Sequence, residues 1–222
     1  MNKLLFSTLL ALLLGCSAAD AQIGIMMGPR FGYGPRPRRR APQQDQNLPK
    51  FQPSLNISLG YSFPDLDADQ LPDFFNFYRG TSTQTGPFTG AIDYQFSRSS
   101  SIGILVTHGN VSVPYYSFGN SSGSPDMTGK LDNWAFMLDL VNYMPVSSRT
   151  ISPYVRTAIG INTWTQTFTD GSGNPQNVNN TPSVLAYQVG LGAKFFLTKN
   201  SGLFIEAGYG KYILNAGLSF KF

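Results

Sequence analysis

A single histidine is the first residue of this chain that could support catalysis. His108 is the only histidine among 222 residues, and Ser112 follows it in the same stretch. A histidine can act as the base for a serine nucleophile, but the arrangement also needs an acidic group that orients the imidazole. No acidic residue lies close to His108 in the sequence. We therefore predict no catalytic residues and interpret His108 as a histidine near the outer end of its strand, at the level of lipid headgroups.

Three alternating carboxylates form the second candidate. Asp65, Asp67 and Asp69 have the spacing that opens a calcium-binding loop, which also requires glycine at its sixth position and glutamate at its twelfth. Gln70 and Asn76 stand there instead. We predict no metal site and no cofactor, and expect an acidic, solvated loop, with weak ion binding as the alternative.

Alternation of apolar and polar residues indicates that β-strands carry these side chains, because successive residues of an extended chain point to opposite faces. Eight alternating segments are predicted, at residues 55–63, 88–96, 101–113, 131–146, 151–168, 183–197, 203–209 and 212–222. Short connections at 98–100, 147–150 and 199–201 alternate with long ones at 65–85, 114–130 and 169–182, and the hairpin near Gly210 is tight. The pattern predicts an all-β fold, an eight-stranded antiparallel up-and-down β-barrel.

The composition favours lipid around that barrel. Charged residues make up 13% of the chain, whereas a soluble β-protein normally keeps more charge on its surface. The predicted polar faces carry mainly Gly, Ala, Ser and Asn, which suit the crowded interior of an eight-stranded barrel. The apolar faces carry aromatic rings near strand ends, where lipid headgroups lie: Tyr61, Phe63, Tyr94, Phe96, Phe195, Tyr209, Tyr212, Phe220 and Phe222. Beyond the N-terminus, no apolar run is long enough for a transmembrane helix, so we predict a transmembrane β-barrel.

The last strand ends in a more specific pattern. Asn215-x-Gly217-x-x-Phe220-x-Phe222 resembles the C-terminal signal by which the bacterial assembly machinery recognises outer-membrane barrels. With the strand count and the loop asymmetry, residues 53–222 resemble the small OmpA/OmpX-type barrels. The resemblance implies a monomer among the outer-membrane lipids of a Gram-negative bacterium. An even strand count places both termini in the periplasm, so the long loops face outward, towards a partner that the sequence does not identify.

Two segments precede the predicted barrel. Residues 1–21 are predicted to be a signal peptide that is cleaved after Ala21, and the alternative is a lipoprotein signal with Cys16 as the lipidated residue. Residues 22–52 form a basic linker rich in Pro and Gly. Its cations, Arg30, Arg36, Arg38, Arg39, Arg40 and Lys50, account for the net charge of +4. Since the barrel is nearly neutral, we predict no nucleic-acid partner. The linker is either an arm for anionic lipid headgroups or, as we prefer, a solvated tether.

Charged residues on the predicted polar faces suggest an ion network in the lumen. They are Asp93, Asp139, Arg156, Lys194 and Glu206. If Val146 pairs with Ile151, Asp139 and Arg156 are one diagonal step apart. If Thr198 pairs with Gly202, Lys194 lies opposite Glu206. We predict one layer of crossed ion pairs that blocks the lumen.

Three functions remain open for such a barrel. The preferred one is a non-enzymatic envelope protein that presents its long loops, including the aromatic residues 72–78, which would be an interfacial helix, a lid or a docking patch. The second is an enzyme at the barrel rim. Barrel-embedded lipid A deacylases and palmitoyl transferases use a histidine with a nearby serine there, although the spacing from His108 to Ser112 departs from the tight His-x-Ser of the deacylases. The third is a narrow channel.

Overall fold

Strands dominate the computed structural model, in which residues 51–119, 123–146 and 150–222 are described. Ten strands follow in chain order: β1 (Ser54–Asp65), β2 (Phe77–Arg79), β3 (Thr83–Gln95), β4 (Ser100–Ser117), β5 (Met127–Tyr143), β6 (Ile151–Asp170), β7 (Pro175–Gln176), β8 (Leu185–Phe196), β9 (Ser201–Tyr209) and β10 (Tyr212–Lys221). Within these ranges the helical element is a 3-10 helix, Leu66–Gln70. None of the described residues form a helix long and apolar enough to cross a membrane.

Eight of the strands close into an antiparallel up-and-down barrel. In the order β1, β3, β4, β5, β6, β8, β9 and β10, each strand pairs with the next, and β10 pairs with β1, where Leu218 lies opposite Leu59. The two short strands extend the wall, because β2 pairs with the end of β4 and β7 with the end of β6. The predicted fold class is therefore confirmed.

The two ends of the barrel differ. At the short-turn end, residues 96–99 and 197–200 join neighbouring strands, and Leu55 and Phe222 exchange backbone hydrogen bonds of 2.9 and 2.8 Å. At the loop end, β1 and β3 are joined by residues 66–82, the first long loop. The last hairpin turns tightly at Gly210, whose φ is +140°. A Cβ there would lie 2.1 Å from the carbonyl oxygen of Tyr187, so only glycine fits.

In β8 the apolar side chains face outward and the polar ones face the lumen, as predicted: Val189 and Leu191 point outward, and Gln188 is buried in the lumen. Near the short-turn end, β5 and β6 also expose apolar residues outward, with Phe136 47% and Ile159 48% exposed. We call this part of the wall the apolar band. An apolar outer surface around a polar interior is the arrangement expected of a wall in lipid.

Towards the loop end, the same strands reverse their polarity. The outward residues of β6 after Ile161 are Thr163, Thr165, Thr167 and Thr169, and the inward Phe168 is only 3% exposed. In β4 and β5 the outward residues become polar (Ser112, Lys130 and Asp132) and the inward residues become apolar (Val111, Val113, Tyr115, Met127 and Leu131). We call this part the ridge. A polar outside over an apolar core is the arrangement expected in water.

The lumen is filled in layers. From the short-turn end, a layer of charged residues is followed by a layer of small or apolar residues (Ala91, Leu105, Ala135, Met137, Ala158 and Ala186). Above these lies an amide layer with Asn133 and Asn162. The apolar core of the ridge comes last, and Leu71 and Phe74 of the first long loop pack against it. This filling positions the charged groups described next.

Candidate functional site

Arg156 is the centre of the charged layer. Its side chain is 1% exposed, and its guanidinium contacts three carboxylates: Nε lies 3.0 Å from Asp139 Oδ2, Nη1 3.1 Å from Glu206 Oε2, and Nη2 3.7 Å from Asp93 Oδ2. Asp139 is one diagonal step away because Val141 lies opposite Arg156. The four residues come from β3, β5, β6 and β9. One cation thus links four strands across the lumen.

Two tyrosines complete the coordination of Glu206. The hydroxyls of Tyr154 and Tyr212 donate to its two carboxylate oxygens, each at 2.9 Å. The prediction that Tyr212 belongs to the lipid-facing rings is therefore wrong. Tyr212 is fully buried because the hydrogen bond to Glu206 turns its ring into the lumen, against the alternation of the rest of β10.

Lys194 is buried in the lumen but does not join this cluster. The expected pairing with Glu206 is wrong, because Gly192 lies opposite Glu206 and Lys194 lies opposite Phe204. The cause is the turn: Leu197 and Thr198 both donate to the carbonyl oxygen of Ser201, which brings Phe196 rather than Thr198 opposite Gly202. Lys194 Nζ donates instead to the hydroxyl of Tyr143, at 3.2 Å.

A second charged cluster lies nearer the loop end. Lys211 Nζ donates to the carboxylate of Asp67 and, at 3.1 Å, to Asn162 Oδ1. Asn133 Nδ2 donates to Asp67 Oδ2 at 2.8 Å, and the ammonium of Lys211 also lies 5.0 Å from the centre of the Trp164 ring. We call Asp67, Lys211, Asn133 and Asn162 the latch cluster, because it ties the first long loop to the barrel wall.

The latch cluster is absent from our sequence prediction. Asp67 and Lys211 are 144 residues apart, and Asp67 was expected to be solvated. One feature of the sequence could have indicated the cluster. Lys211 follows Gly210 in a tight hairpin, and a residue at that position lies over the mouth of the barrel. The expectation of a solvated acidic loop is wrong, because Asp65 and Asp67 are both buried. Asp65 Oδ1 accepts the amide hydrogen of Asp67 at 3.0 Å and caps the 3-10 helix.

Among the residues that the structure describes, no group of three or more His, Cys, Asp or Glu side chains is arranged to hold a metal ion, and the three carboxylates of the charged layer surround Arg156 instead. His108 likewise has no arrangement for nucleophilic catalysis within those residues. Its ring stacks on Trp134 on the outer face, with centroids 4.2 Å apart, and Nδ1 lies 3.2 Å from the carbonyl oxygen of Asn133. Ser112 lies further along β4, opposite Lys130 of β5. His108 therefore occupies an aromatic, outward-facing position at the upper edge of the apolar band.

The aromatic residues 72–78 divide between two environments. Phe74 packs edge-on against Tyr115 and Phe168, at 5.0 and 6.1 Å, so this part acts as a lid. Phe75 is 97% exposed, and Tyr78 stacks on Tyr116 at 5.2 Å with Phe118 beside it. We call Phe75, Tyr78, Tyr116 and Phe118 the aromatic patch. The segment contains a turn and β2 rather than an interfacial helix.

The residues of the predicted assembly signal occupy both faces of β10. Asn215 is buried and accepts a hydrogen bond from Thr89 Oγ1 at 3.1 Å, and Gly217 lies opposite Gly60. Phe220 and Phe222 lie on the outward face. Their role in assembly stays a prediction. The predicted signal peptide, and the linker up to residue 50, lie outside the described residues.

Comparisons with known proteins return structures only. No family model and no curated protein matches the sequence. The attachment invasion locus protein Ail of Yersinia pestis, solved with the heparin analogue sucrose octasulfate, is 13% identical with a TM-score of 0.44, and the match covers 77% of this chain and 97% of Ail. The N-terminal β-barrel domain of Pseudomonas aeruginosa OprF is 15% identical with a TM-score of 0.38, covering 76% and 97%. Similarity at this level carries no information on activity. By its own strand order and closure, the chain has the eight-stranded architecture of the small outer-membrane β-barrels of the OmpA/OmpX type.

Proposed function

We propose that the chain is a non-enzymatic integral protein of a Gram-negative outer membrane, and that its ridge is an interaction surface outside the cell. The reversal of polarity along β4, β5 and β6 carries this proposal. The apolar outer surface of the apolar band suits contact with lipid, and the polar, threonine-lined outer face of the ridge suits contact with water. The ridge and the long loops then project from the membrane, while the N-terminal end of β1 and the C-terminal end of β10 lie on the periplasmic side.

The aromatic patch supports an interaction role. Phe75 and Phe118 are 97% and 70% exposed in the part of the molecule that the polarity assigns to water. Clustered exposed aromatic side chains mark binding surfaces, because burying them on contact with a partner is favourable. The patch includes Tyr78 of β2, a short strand at the edge of the extended wall.

Single-cysteine labelling tests the orientation. Phe75→Cys, an exposed residue of the first long loop, should react with a membrane-impermeant maleimide on intact cells. Ser99→Cys, an exposed residue of a short turn, should react only after the outer membrane is permeabilised. If Ser99→Cys alone is labelled on intact cells, the barrel has the opposite orientation and the proposed topology is wrong. Photocrosslinking from position 75, with position 165 on the threonine face as the matched control, then tests whether partners bind at the patch.

Two alternatives have direct tests. His108→Ala should leave the lipid A and phospholipid composition of the membrane unchanged, whereas a changed lipid profile would favour the rim enzyme. The parent protein should show no steady conductance in planar bilayers, because Arg156, Tyr154 and Tyr212 are buried across the lumen. A stable single-channel current would favour the narrow channel.

A further inference from the structure

The short-turn end of the barrel opens into a cavity of about 490 Å³. Arg98, Lys199 and Lys221 line it together with Ser54, Gln95 and Asn200. No Asp or Glu side chain is among the described residues that line this cavity. We call it the basic mouth, and it faces away from the ridge and its loops.

A buried cation lies on the lumen side of the basic mouth. Lys194 is 1% exposed, and the groups around its ammonium are aromatic: the Tyr143 hydroxyl at 3.2 Å, and the rings of Tyr143 and Tyr154 at 5.5 and 5.8 Å. No described carboxylate lies within ion-pair distance of Lys194 Nζ. The carboxylates of the charged layer are engaged by Arg156, Tyr154 and Tyr212 instead. A buried charge in such a position favours a counter-ion.

Hydrogen-bond donors without partners lie at the same end. Asn56 is the next inward residue of β1 after Ser54, it lies opposite Lys221, and it is 2% exposed. Its Nδ2 has no hydrogen-bond partner among the described residues, and neither has the buried hydroxyl of Ser101, which lies opposite Gln95. Within the described ranges, the hydrogen-bond partner of Lys221 Nζ is Gln95 Oε1, at 3.5 Å. Two lysines, an amide and a hydroxyl therefore offer donors around one end of the lumen.

We propose that the basic mouth binds a phosphate group, either as inorganic phosphate or as the phosphate ester of a small polar alcohol. A tetrahedral oxyanion accepts several hydrogen bonds at once and forms its strongest ones with cationic donors. Arg98, Lys199 and Lys221 in the cavity wall supply the charge. Lys194, Asn56 and Ser101 are buried at the same end of the lumen, below the lining residues, and supply the further donors. The cavity is larger than one phosphate group, which leaves room for the esterified alcohol.

Calorimetric titration tests the proposal on the full mature chain, purified in an uncharged detergent and a phosphate-free buffer at constant ionic strength. Glycerol 3-phosphate and inorganic phosphate are the probes, with chloride as the reference anion. We expect one saturable site for phosphate and none for chloride. Equal affinity for the two probes would identify free phosphate as the ligand, and an ester that binds at least tenfold more tightly would identify a phosphate ester.

Two lumen variants and one matched control locate the site. Lys194→Met and Lys221→Gln should each weaken binding at least tenfold, whereas Lys130→Gln, an exposed lysine on the ridge, should change it less than twofold. Without ligand, Lys194→Met should unfold at the same or a higher temperature than the parent, and it should gain no stabilisation from phosphate. If Lys194→Met fails to fold, the half-buried Lys221→Gln decides. Binding that is absent in the parent, or retained in both lumen variants, would overturn the proposal.

Discussion

Arg156 is the residue on which the interior of this barrel depends most. Its guanidinium is the shared partner of Asp93, Asp139 and Glu206, which lie on three other strands. Each ion pair of such a cluster contributes little net stability. Removing one partner is costly, however, because the remaining buried charges are then uncompensated.

Arg156→Ala should therefore destabilise the folded barrel by about 3–5 kcal/mol, the cost of breaking a buried ion pair. Urea unfolding in detergent measures this free energy. Adding Asp139→Asn should restore part of the loss, because it removes one of the unpaired charges. Lys130→Ala on the ridge is the control and should change stability by less than about 0.5 kcal/mol. An unchanged unfolding curve for Arg156→Ala would contradict the ion layer.

At the scale of elements, the first long loop is a folded part of the barrel rather than a free connection. Its 3-10 helix places Asp67 in the latch cluster, and its aromatic residues close the apolar core of the ridge. Asp69, on the same helix, forms no hydrogen bond or ion pair with the other described residues. The two carboxylates therefore provide a matched pair for testing the latch.

Asp67→Ala should release the first long loop, because it leaves the buried ammonium of Lys211 without its carboxylate. Trypsin cleavage at Arg79 measures this opening. Loss of a buried partner costs about 3–5 kcal/mol, so we expect cleavage to accelerate at least tenfold, while Asp69→Ala should leave the rate unchanged. Equal rates for the parent and Asp67→Ala would show that the latch does not hold the loop.

The turn that follows β6 lies well beyond the apolar band. Its local order should depend on pH, because the Asp170 carboxylate organises it. Hydrogen bonds to the Asp170 carboxylate, first from the backbone and side chain of Asn174 and then from Ser172 and Gln176, lower the pKa of Asp170 below its usual value. The ordering that the carboxylate provides is thus fully present above the ordinary pKa of aspartate and is lost as the pH falls through the lowered value. Amide NMR shifts of Ser172 and Asn174 should follow that titration, and Asp170→Asn should abolish it. Shifts that persist in Asp170→Asn would assign the titration to another group.

On the scale of the whole molecule, the main question is whether lipid or water surrounds the outer surface, because this decides whether the barrel is a membrane protein. Ile159 and Thr165 both face outward on β6, on opposite sides of the change in polarity. In lipid, an arginine near the bilayer midplane costs about 2–4 kcal/mol, against about 0–1 kcal/mol near the interface. In water, neither substitution should cost as much.

Ile159→Arg should therefore destabilise the barrel refolded in lipid vesicles by about 2–4 kcal/mol, and Thr165→Arg by at most about 1 kcal/mol. Chemical unfolding in vesicles measures both values. Equal, small effects would mean that water surrounds the whole wall, and the proposed membrane residence would then be wrong.

The alternation of residues determined most of this fold by itself. Because the side chains of a strand alternate with a period of two, the sequence was sufficient to identify eight strands and to separate the outward Val189 and Leu191 from the inward Gln188. It also placed Arg156, Asp139, Asp93 and Glu206 in the lumen. The outer face of such a barrel is apolar, so charged residues on the other face of each strand point inward.

Contacts between distant segments were decided only by the tertiary structure. The turn at residues 197–200 sets the register of β8 and β9 and separates Lys194 from Glu206, and alternation is blind to a shift of two residues. The latch cluster joins Asp67 to Lys211 across 144 residues, and Tyr212 turns inward because Glu206 accepts its hydroxyl hydrogen. Local periodicity specifies which face a side chain occupies, but the partner it meets there depends on the closure of the barrel.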